Sequence, residues 1–140
     1  MKINFYFNDT SIRIPERTRL KKHLTTIFEK EGKPLKSLTY IFCTDEYLLS
    51  INKKFLKHDD YTDIITFCLS DISDPVVGEI YISADRIRDN SKSLGISANS
   101  ELHRVVFHGA LHLCGFNDKS RKDKERMTKE EDKNLSIYFN

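Results

Sequence analysis

Apolar residues recur along this chain with two spacings, and each spacing predicts a different kind of element. Short runs rich in β-branched and aromatic residues are typical of strands. Such runs occupy Ile3–Phe7, Leu38–Cys43, Ile64–Leu69 and Val76–Ile82. The stretch between the last two runs, 70–75, is short and rich in turn-forming residues, which favours an antiparallel pairing of those two strands.

Apolar positions three and four residues apart predict five helices. The helices run from near Pro15 to near Gly32, from Asp45 through Phe55, over Ala84–Leu94, from Ser97 through Cys114, and roughly from Lys122 to Ile137. The order β-α-β-α-β-β-α-α-α indicates an α+β (mixed α/β) fold. We expect a single small mixed sheet of about four strands, covered mainly by helices.

The composition is that of one ordinary globular domain spanning residues 1–140. A hydrophobic fraction of 39% in 140 residues suits a single core. No apolar stretch approaches the roughly 20 residues that a membrane span requires. The first five residues also lack the apolar segment of a secretory signal. We therefore expect a cytoplasmic protein with no membrane partner.

The cysteines and the charges add two expectations. Cys43, Cys68 and Cys114 are widely spaced and form no Cys-x-x-Cys pair, so we expect reduced thiols in the core. Residues 1–58 carry 12 Lys and Arg against 6 Asp and Glu, whereas residues 59–140 carry 11 against 15. The basic half could bind a polyanion, although composition alone favours ordinary solvated helix faces.

One cluster of residues has the spacing of a metal site: His108, His112, Gly115 and Asp118. Residues four apart on a helix share a face, so the two imidazoles could bind one ion. Glycine tolerates the left-handed conformation that ends a helix, and the reversed chain could bring up Asp118 as a third ligand. Three protein ligands leave one position open on tetrahedral zinc, as in catalytic sites. The alternative is a pair of polar histidines on a half-exposed face.

Residues around this cluster limit the reactions and the metal ligands that are expected for it. Zinc proteases commonly carry a glutamate general base after the first histidine, and Gly109 stands there, which disfavours a peptidase. Cys114 lies about 200° around the helix from His112, so we expect it in the core and not at the metal. Glu101 and Arg104 share the histidine face and are candidates for supporting the ligands or contacting substrate, or are plain surface charges.

The run 108–118, together with the stretches 51–67 and 77–83, resembles the YbeY family of bacterial rRNA maturation factors. The family motif His-Gly-x-Leu-His-Leu-x-Gly-Tyr-Asp-His is similar to the run His108-Gly109-Ala110-Leu111-His112-Leu113-Cys114-Gly115-Phe116-Asn117-Asp118. Two further stretches are similar to family segments: Ile51-Asn52 with Phe55 and Thr62-Asp63-Ile64-Ile65-Thr66-Phe67, and Val77-Gly78-Glu79-Ile80-Tyr81-Ile82-Ser83. The element order agrees as well, so the resemblance covers nearly the whole chain.

The resemblance implies a single-strand-specific, metal-dependent endoribonuclease acting in ribosomal RNA maturation and ribosome biogenesis. Its expected cofactor is one Zn²⁺ per chain on His108, His112 and Asp118, and its expected partners are a ribosomal RNA precursor and the ribosome or small subunit. Lys53, Lys54 and Lys57 are candidates for tracking the RNA backbone. Tyr61 is a candidate for stacking on a base. The sequence singles out no general base, so no catalytic side chain is assigned.

Two positions depart from the family pattern. Asp118 stands where the family usually has a histidine, and an aspartate oxygen also binds zinc. Leu56 stands where the family commonly has an arginine, and the neighbouring Lys57 lacks the bidentate fork that binds phosphate. Two alternatives therefore stay open: a non-catalytic, zinc-stabilised ribosome-assembly or RNA-binding factor and, disfavoured by Gly109, a metallopeptidase.

Overall fold

A computed structural model describes residues 2–140 and contains four strands and five α-helices in the predicted order. The strands are β1 (Ile3–Phe7), β2 (Leu35–Cys43), β3 (Ile64–Cys68) and β4 (Val76–Ser83). The helices are α1 (Arg17–Lys30), α2 (Asp45–Ile51), α3 (Ala84–Leu94), α4 (Ala98–Leu113) and α5 (Arg121–Tyr138). A π-helical segment, Asn52–Leu56, continues α2 and is called the π-turn below.

The four strands form one mixed sheet in the order β1-β2-β4-β3. The pairs β1–β2 and β2–β4 are parallel, while β3 runs antiparallel to β4. The predicted antiparallel pair and the predicted mixed four-stranded sheet are both confirmed. Because β3 lies at the edge of the sheet, one side of it is open to the residues that follow the π-turn.

Strand alternation places one face of the sheet in the main core. Leu38, Tyr40 and Phe42 of β2 are fully buried together with Ile80 and Ile82 of β4. Helix α4 packs on this face and contacts both β3 and β4. The buried Tyr40 hydroxyl donates to the Val106 carbonyl oxygen of α4 at 2.8 Å, which satisfies a polar group that would be costly to bury alone.

A glycine allows α4 to lie unusually close to the sheet. An added Cβ at Gly109 would lie 2.8 Å from Ile80 Cδ1 and 3.1 Å from Ile64 Cδ1, closer than side chains normally pack. The absence of a side chain at Gly109 therefore sets the distance between α4 and the sheet. His108 precedes this contact and His112 follows it, so the close packing fixes the backbone of both histidines.

Helix α4 begins and ends as the sequence predicts. The Ser97 hydroxyl accepts from the Ser100 amide at 3.0 Å and caps the first turn. At the other end Gly115 has φ +108°, a conformation that L side chains rarely adopt. The Phe116 amide then donates to the Leu111 carbonyl oxygen at 3.1 Å. This reversal returns the chain toward the histidine face.

Three details of the sequence prediction are wrong. The second helix is α-helical only to Ile51, because the π-turn replaces its predicted last turn. Leu113 shares the helical spacing of Leu102, Val105 and Val106, which predicts a buried position, but it is only half-buried. Cys68 is exposed, whereas Cys43 and Cys114 are buried as expected. All three thiols are free, and burial raises the pKa of Cys43 and of Cys114 to about 12.

Within residues 2–140, no helix combines the length and the apolar character that crossing a membrane would require.

Candidate active site

The three predicted metal ligands lie at the open side of β3. His108 and His112 occupy the last two turns of α4, and Asp118 follows the reversal at Gly115. All three line one cleft together with Asn52, Leu56, His58, Asp60, Tyr61, Thr62, Ile64, Ile65 and Thr66, and we call it the β3 cleft. His108 Nε2 lies 3.4 Å from Asp118 Oδ2, so the structure brings these two residues together across the helix end.

Both histidines have the Nδ1 atom engaged by an oxygen acceptor. His112 Nδ1 lies 3.1 Å from the Phe116 carbonyl oxygen, and His108 Nδ1 lies 2.5 Å from Glu131 Oε2. A carbonyl oxygen only accepts, so His112 Nδ1 carries a proton, and in the neutral imidazole Nε2 then has the free lone pair. The carboxylate of Glu131 favours the same tautomer at His108. This arrangement is typical of histidines that bind a metal through Nε2.

The side chains of His108, His112 and Asp118 are of the types that bind zinc, although their positions do not form a complete coordination site. Two imidazole nitrogens and one carboxylate oxygen belong to the donor set of catalytic zinc sites. As the side chains stand, no three His, Cys, Asp or Glu residues within 2–140 are arranged so that they could hold a metal ion. His112 shares the cleft with His108 and Asp118 without joining their contact. The ligand set therefore stays a prediction.

A network of hydrogen-bonded charged side chains holds His108 at its Nδ1 atom. Arg104 donates from Nε and Nη2 to the two oxygens of Glu101, at 2.9 and 2.8 Å. Its Nη1 reaches Glu131 Oε1 at 3.3 Å. Glu101 is fully buried and Glu131 is 3% exposed, so the arginine stabilises two carboxylates that would otherwise be costly to bury. The network continues to His108 through the second oxygen of Glu131.

The sequence identified part of this network. Glu101 and Arg104 share the histidine face as predicted, and the structure links them to His108 through Glu131. Glu131 itself was missed. A signal for it exists: it lies four residues after Met127 on the buried side of α5, where an acid is unusual unless it is paired.

The site changes the acid–base behaviour of His108. Burial alone lowers the pKa of His108, but the hydrogen bond that its Nδ1 donates to Glu131 and the negative charges of Glu131, Asp118 and Asp63 outweigh it. The net result is that the pKa of His108 is raised. The same carboxylates that stabilise a proton on this imidazole would stabilise a bound cation.

A second cleft lies on the other side of the His108–Asp118 pair. It is lined by Thr62, Asp63, Ile64, Arg104, Val105, His108, Asp118, Lys124, Met127, Thr128 and Glu131, and we call it the α5 cleft. Thr62, Ile64, His108 and Asp118 are common to both clefts. The histidine–aspartate pair therefore lies between two open spaces, so an extended ligand could contact it from both sides.

A buried asparagine shapes the wall of the β3 cleft. Asn52 Nδ2 donates to the Asp60 carbonyl oxygen at 2.8 Å, and the backbone carbonyl oxygen of Asn52 accepts from the His58 amide at 3.2 Å. Lys57, between these anchors, adopts a left-handed conformation with φ +57°. The two hydrogen bonds hold the loop after the π-turn beside the predicted ligands. π-helical segments often occur at functional sites.

The residues predicted to contact RNA lie around this loop. Tyr61 lines the β3 cleft, and its hydroxyl donates to Glu46 Oε1 at 2.8 Å. Lys53 pairs with Asp59 at 3.2 Å, and Lys54 lies over the ring of Phe55. The described residues that line the β3 cleft include none of Lys53, Lys54 and Lys57. These three lysines therefore flank the cleft and do not form its wall.

Comparisons with known proteins agree on one family. The family model described as "Endoribonuclease YbeY" matches residues 4–138. Proteins named "Endoribonuclease YbeY" from Cytophaga hutchinsonii and Porphyromonas gingivalis are 46% and 44% identical over 135 and 134 residues. Each match covers 96% of this chain, and 94% and 88% of the respective relative. The solution structure of TM1509 from Thermotoga maritima has a TM-score of 0.65 at 25% identity, covering 98% of this chain and 89% of that one.

Proposed function

The chain belongs to the YbeY endoribonuclease family, and from this premise we propose that it is a zinc-dependent endoribonuclease that cleaves single-stranded RNA during ribosomal RNA maturation. The observation that carries the proposal is the position of the His108–Asp118 pair between two open clefts. An RNA strand could pass through both clefts with a phosphodiester beside the pair. We infer that it acts in the cytoplasm with a ribosomal RNA precursor and the small ribosomal subunit, which rests on the family membership.

The protein side chains have separate tasks in this proposal. His108, His112 and Asp118 would hold the zinc ion, which when bound supplies Lewis acidity to the phosphate and assists deprotonation of the attacking water. Glu131 keeps the proton of His108 on Nδ1, and the Phe116 carbonyl oxygen does the same for His112. Both imidazoles are thereby oriented before substrate arrives, which avoids a cost of reorganisation.

The contacts of the RNA follow from the residues around the clefts. Lys53, Lys54 and Lys57 flank the β3 cleft and would meet the phosphate backbone, so binding should weaken steeply as salt rises. Tyr61 presents an exposed ring to the same cleft, where it would stack on an unpaired base. The stacking contact favours single-stranded RNA, because bases in a duplex are not available for stacking on a side chain.

Leu56 keeps a second candidate function open. This exposed leucine lines the β3 cleft at a position where the family commonly supplies an arginine, so the cleft lacks a strong phosphate ligand there. A non-catalytic RNA-binding factor, in which zinc only stabilises the turn after α4, would tolerate that loss.

A cleavage assay separates the two functions. We expect the purified, zinc-loaded protein to cut a labelled single-stranded RNA, and His112→Ala to reduce the rate by about 100-fold or more because a metal ligand is lost. Lys122→Ala, an exposed change on α5, serves as the matched control and should cut normally. Equal cleavage by the wild type and His112→Ala would end the nuclease proposal, and an RNA that is bound but never cut would favour the non-catalytic factor.

A further inference from the structure

Three aromatic rings form a row on the face of the sheet opposite α4. We define this aromatic row as Phe55 of the π-turn, Phe67 of β3 and Tyr81 of β4. The ring centroids of Phe55 and Phe67 are 6.0 Å apart, and those of Phe67 and Tyr81 are 5.9 Å apart, both in edge-to-face geometry. Phe67 and Tyr81 pack against the small second core beneath α2, whereas the Phe55 side chain is 59% exposed.

We propose that the aromatic row is a stacking platform for bases of the single-stranded RNA that leaves the β3 cleft. The inference rests on the proposed function and adds to it a second contact surface outside the cleft. Base–aromatic stacking tolerates any sequence, because every base presents a π-face. A row of this kind would therefore hold the RNA strand without selecting its sequence.

The row adjoins the cleft across the sheet edge formed by β3. Leu56 and Thr66 line the β3 cleft, and their immediate neighbours Phe55 and Phe67 belong to the row. A strand of RNA that passes His108 and leaves beside Leu56 would meet the Phe55 ring next. Thr66 and Phe67 point to opposite faces of β3, so the RNA would pass around this edge strand to reach the platform from the cleft.

The charges around the row match a nucleic acid and not a purely apolar partner. Lys54 Nζ lies 5.3 Å from the centroid of the Phe55 ring, and Lys53 and Lys57 belong to the same short segment. Single-stranded nucleic acid alternates bases with phosphates, so it could use the ring and the ammonium group together. At the far end Glu79 Oε1 accepts from the Tyr81 hydroxyl at 2.5 Å. This carboxylate would repel phosphate, so the platform ends at Tyr81.

Binding measurements with matched substitutions test the platform. All variants carry His112→Ala to suppress cleavage, and fluorescence anisotropy measures the affinity for an unstructured twelve-nucleotide RNA. We expect Phe55→Leu to weaken binding about tenfold, because leucine keeps the apolar bulk and loses the π-face. Phe55→Tyr keeps the ring and should stay within about twofold of its parent.

Two controls separate stacking from a general surface effect. Tyr6→Leu removes a ring that is similarly exposed, at 55%, but lies on β1 at the opposite edge of the sheet, and it should bind like its parent. We expect a four-nucleotide RNA to occupy the cleft and therefore to bind all variants equally. Phe55→Leu should leave the salt dependence unchanged, whereas Lys54→Gln should lower the slope of log affinity against log salt by about 0.7.

The outcomes distinguish the platform from the function on which it rests. If the protein without these substitutions neither binds nor cuts single-stranded RNA, the proposed function fails and the platform with it. If it binds and cuts RNA but Phe55→Leu behaves like Tyr6→Leu, the platform alone is overturned. The same conclusion follows if Phe55→Leu weakens the four-nucleotide RNA as much as the longer one.

Discussion

Glu131 shows how one buried acid can organise a site from a distant part of the chain. It lies 23 residues after His108, is 3% exposed, and shares Arg104 with the fully buried Glu101. Its two oxygens point to different partners, one to the arginine and one to the imidazole. The two contacts satisfy both carboxylate oxygens, and the hydrogen bond to Glu131 fixes the tautomer of His108.

This arrangement predicts the effect of Glu131 on zinc binding. Loss of a carboxylate that orients a ligating histidine typically costs 10- to 100-fold in metal affinity, so we expect about that loss for Glu131→Ala. Glu131→Gln keeps an oxygen acceptor for the His108 Nδ1 proton and should lose less. Competition of each purified variant with a chromophoric chelator for zinc would measure the affinities.

Asp132→Asn is the matched control for that experiment, because it neutralises the adjacent, exposed acid of α5. Its zinc affinity should equal that of the wild type. An unchanged affinity in Glu131→Ala would mean that the hydrogen bond to His108 contributes nothing to metal binding.

At the scale of the elements, the close approach of α4 to the sheet decides where the histidines stand. Replacing glycine by alanine inside a helix normally gains about 1 kcal/mol of stability. At Gly109 the new methyl group would meet Ile80, a fully buried residue of the sheet, and overpacking typically costs about 1–3 kcal/mol. The steric cost therefore outweighs the helix propensity.

We expect Gly109→Ala to lower the free energy of unfolding by about 1 kcal/mol, measured by urea denaturation. Ile80→Val removes the Cδ1 atom that lies 2.8 Å from the added Cβ, so the cost of Gly109→Ala should shrink in that background. The double-mutant cycle is its own control, since it subtracts the separate cost of each change. Additive effects of the two substitutions would show that the contact with Ile80 is not the cause of the destabilisation by Gly109→Ala.

The elements also show why some features were predictable from the sequence and others were not. The ends of α4 follow from local chemistry, with Ser97 as the cap and Gly115 as the reversal. The π-turn does not, because the apolar spacing up to Phe55 suits an ordinary α-helix. Its form coincides with the hydrogen bond from Asn52 Nδ2 to the Asp60 carbonyl oxygen in the loop that follows. The role of Glu131 likewise depends on the packing of α5 against α4, which no local pattern specifies.

At the scale of the whole molecule, the sheet order brings the two halves of the chain together at the site. The basic half supplies β1 and β2, and the acidic half supplies β3 and β4. The π-turn crosses this division, because Phe55 contacts Phe67 of β3. Three lysines of the basic half, Lys53, Lys54 and Lys57, are thereby placed next to a cleft lined by ligands from the acidic half. Basic side chains from the first half of the sequence therefore lie beside the predicted metal site in the second half.

An aromatic cluster joins α5 to the rest of the molecule. The buried His103 ring of α4 stacks on Tyr138 near the end of α5, with centroids 5.0 Å apart, and contacts Phe107 and Phe139. His23 of α1 lies 5.3 Å from the same Tyr138 ring, and Arg19 covers it at 4.1 Å. Because α5 carries Glu131, the docking of α5 by this cluster supports the site from about two helical turns away.

The cluster makes the stability of the fold depend on pH. Burial lowers the pKa of His103 below its ordinary value of 6.5, and the positive charges of Arg19 and His23 lower it further. The hydrogen bond to the Asn99 carbonyl oxygen and the charge of Glu16 oppose this shift without reversing it. The unfolded chain therefore binds a proton at His103 more readily than the folded chain does. The stabilising contribution is fully present above pH 6.5 and is lost as the pH falls through the folded-state pKa.

We expect the free energy of unfolding to fall on acidification below pH 6.5, with His103 contributing at most about 1.4 kcal/mol per pH unit. His103→Phe keeps a ring against Tyr138 but cannot take up a proton, so its stability should fall less steeply over the same range. Urea denaturation at several pH values, in the presence of a metal chelator, would measure both slopes. Other titrating groups, including His23 and His108, are common to both proteins, so the difference between the slopes isolates His103. Parallel slopes would show that the folded and unfolded chains protonate His103 alike, and that the buried ring does not couple the docking of α5 to pH.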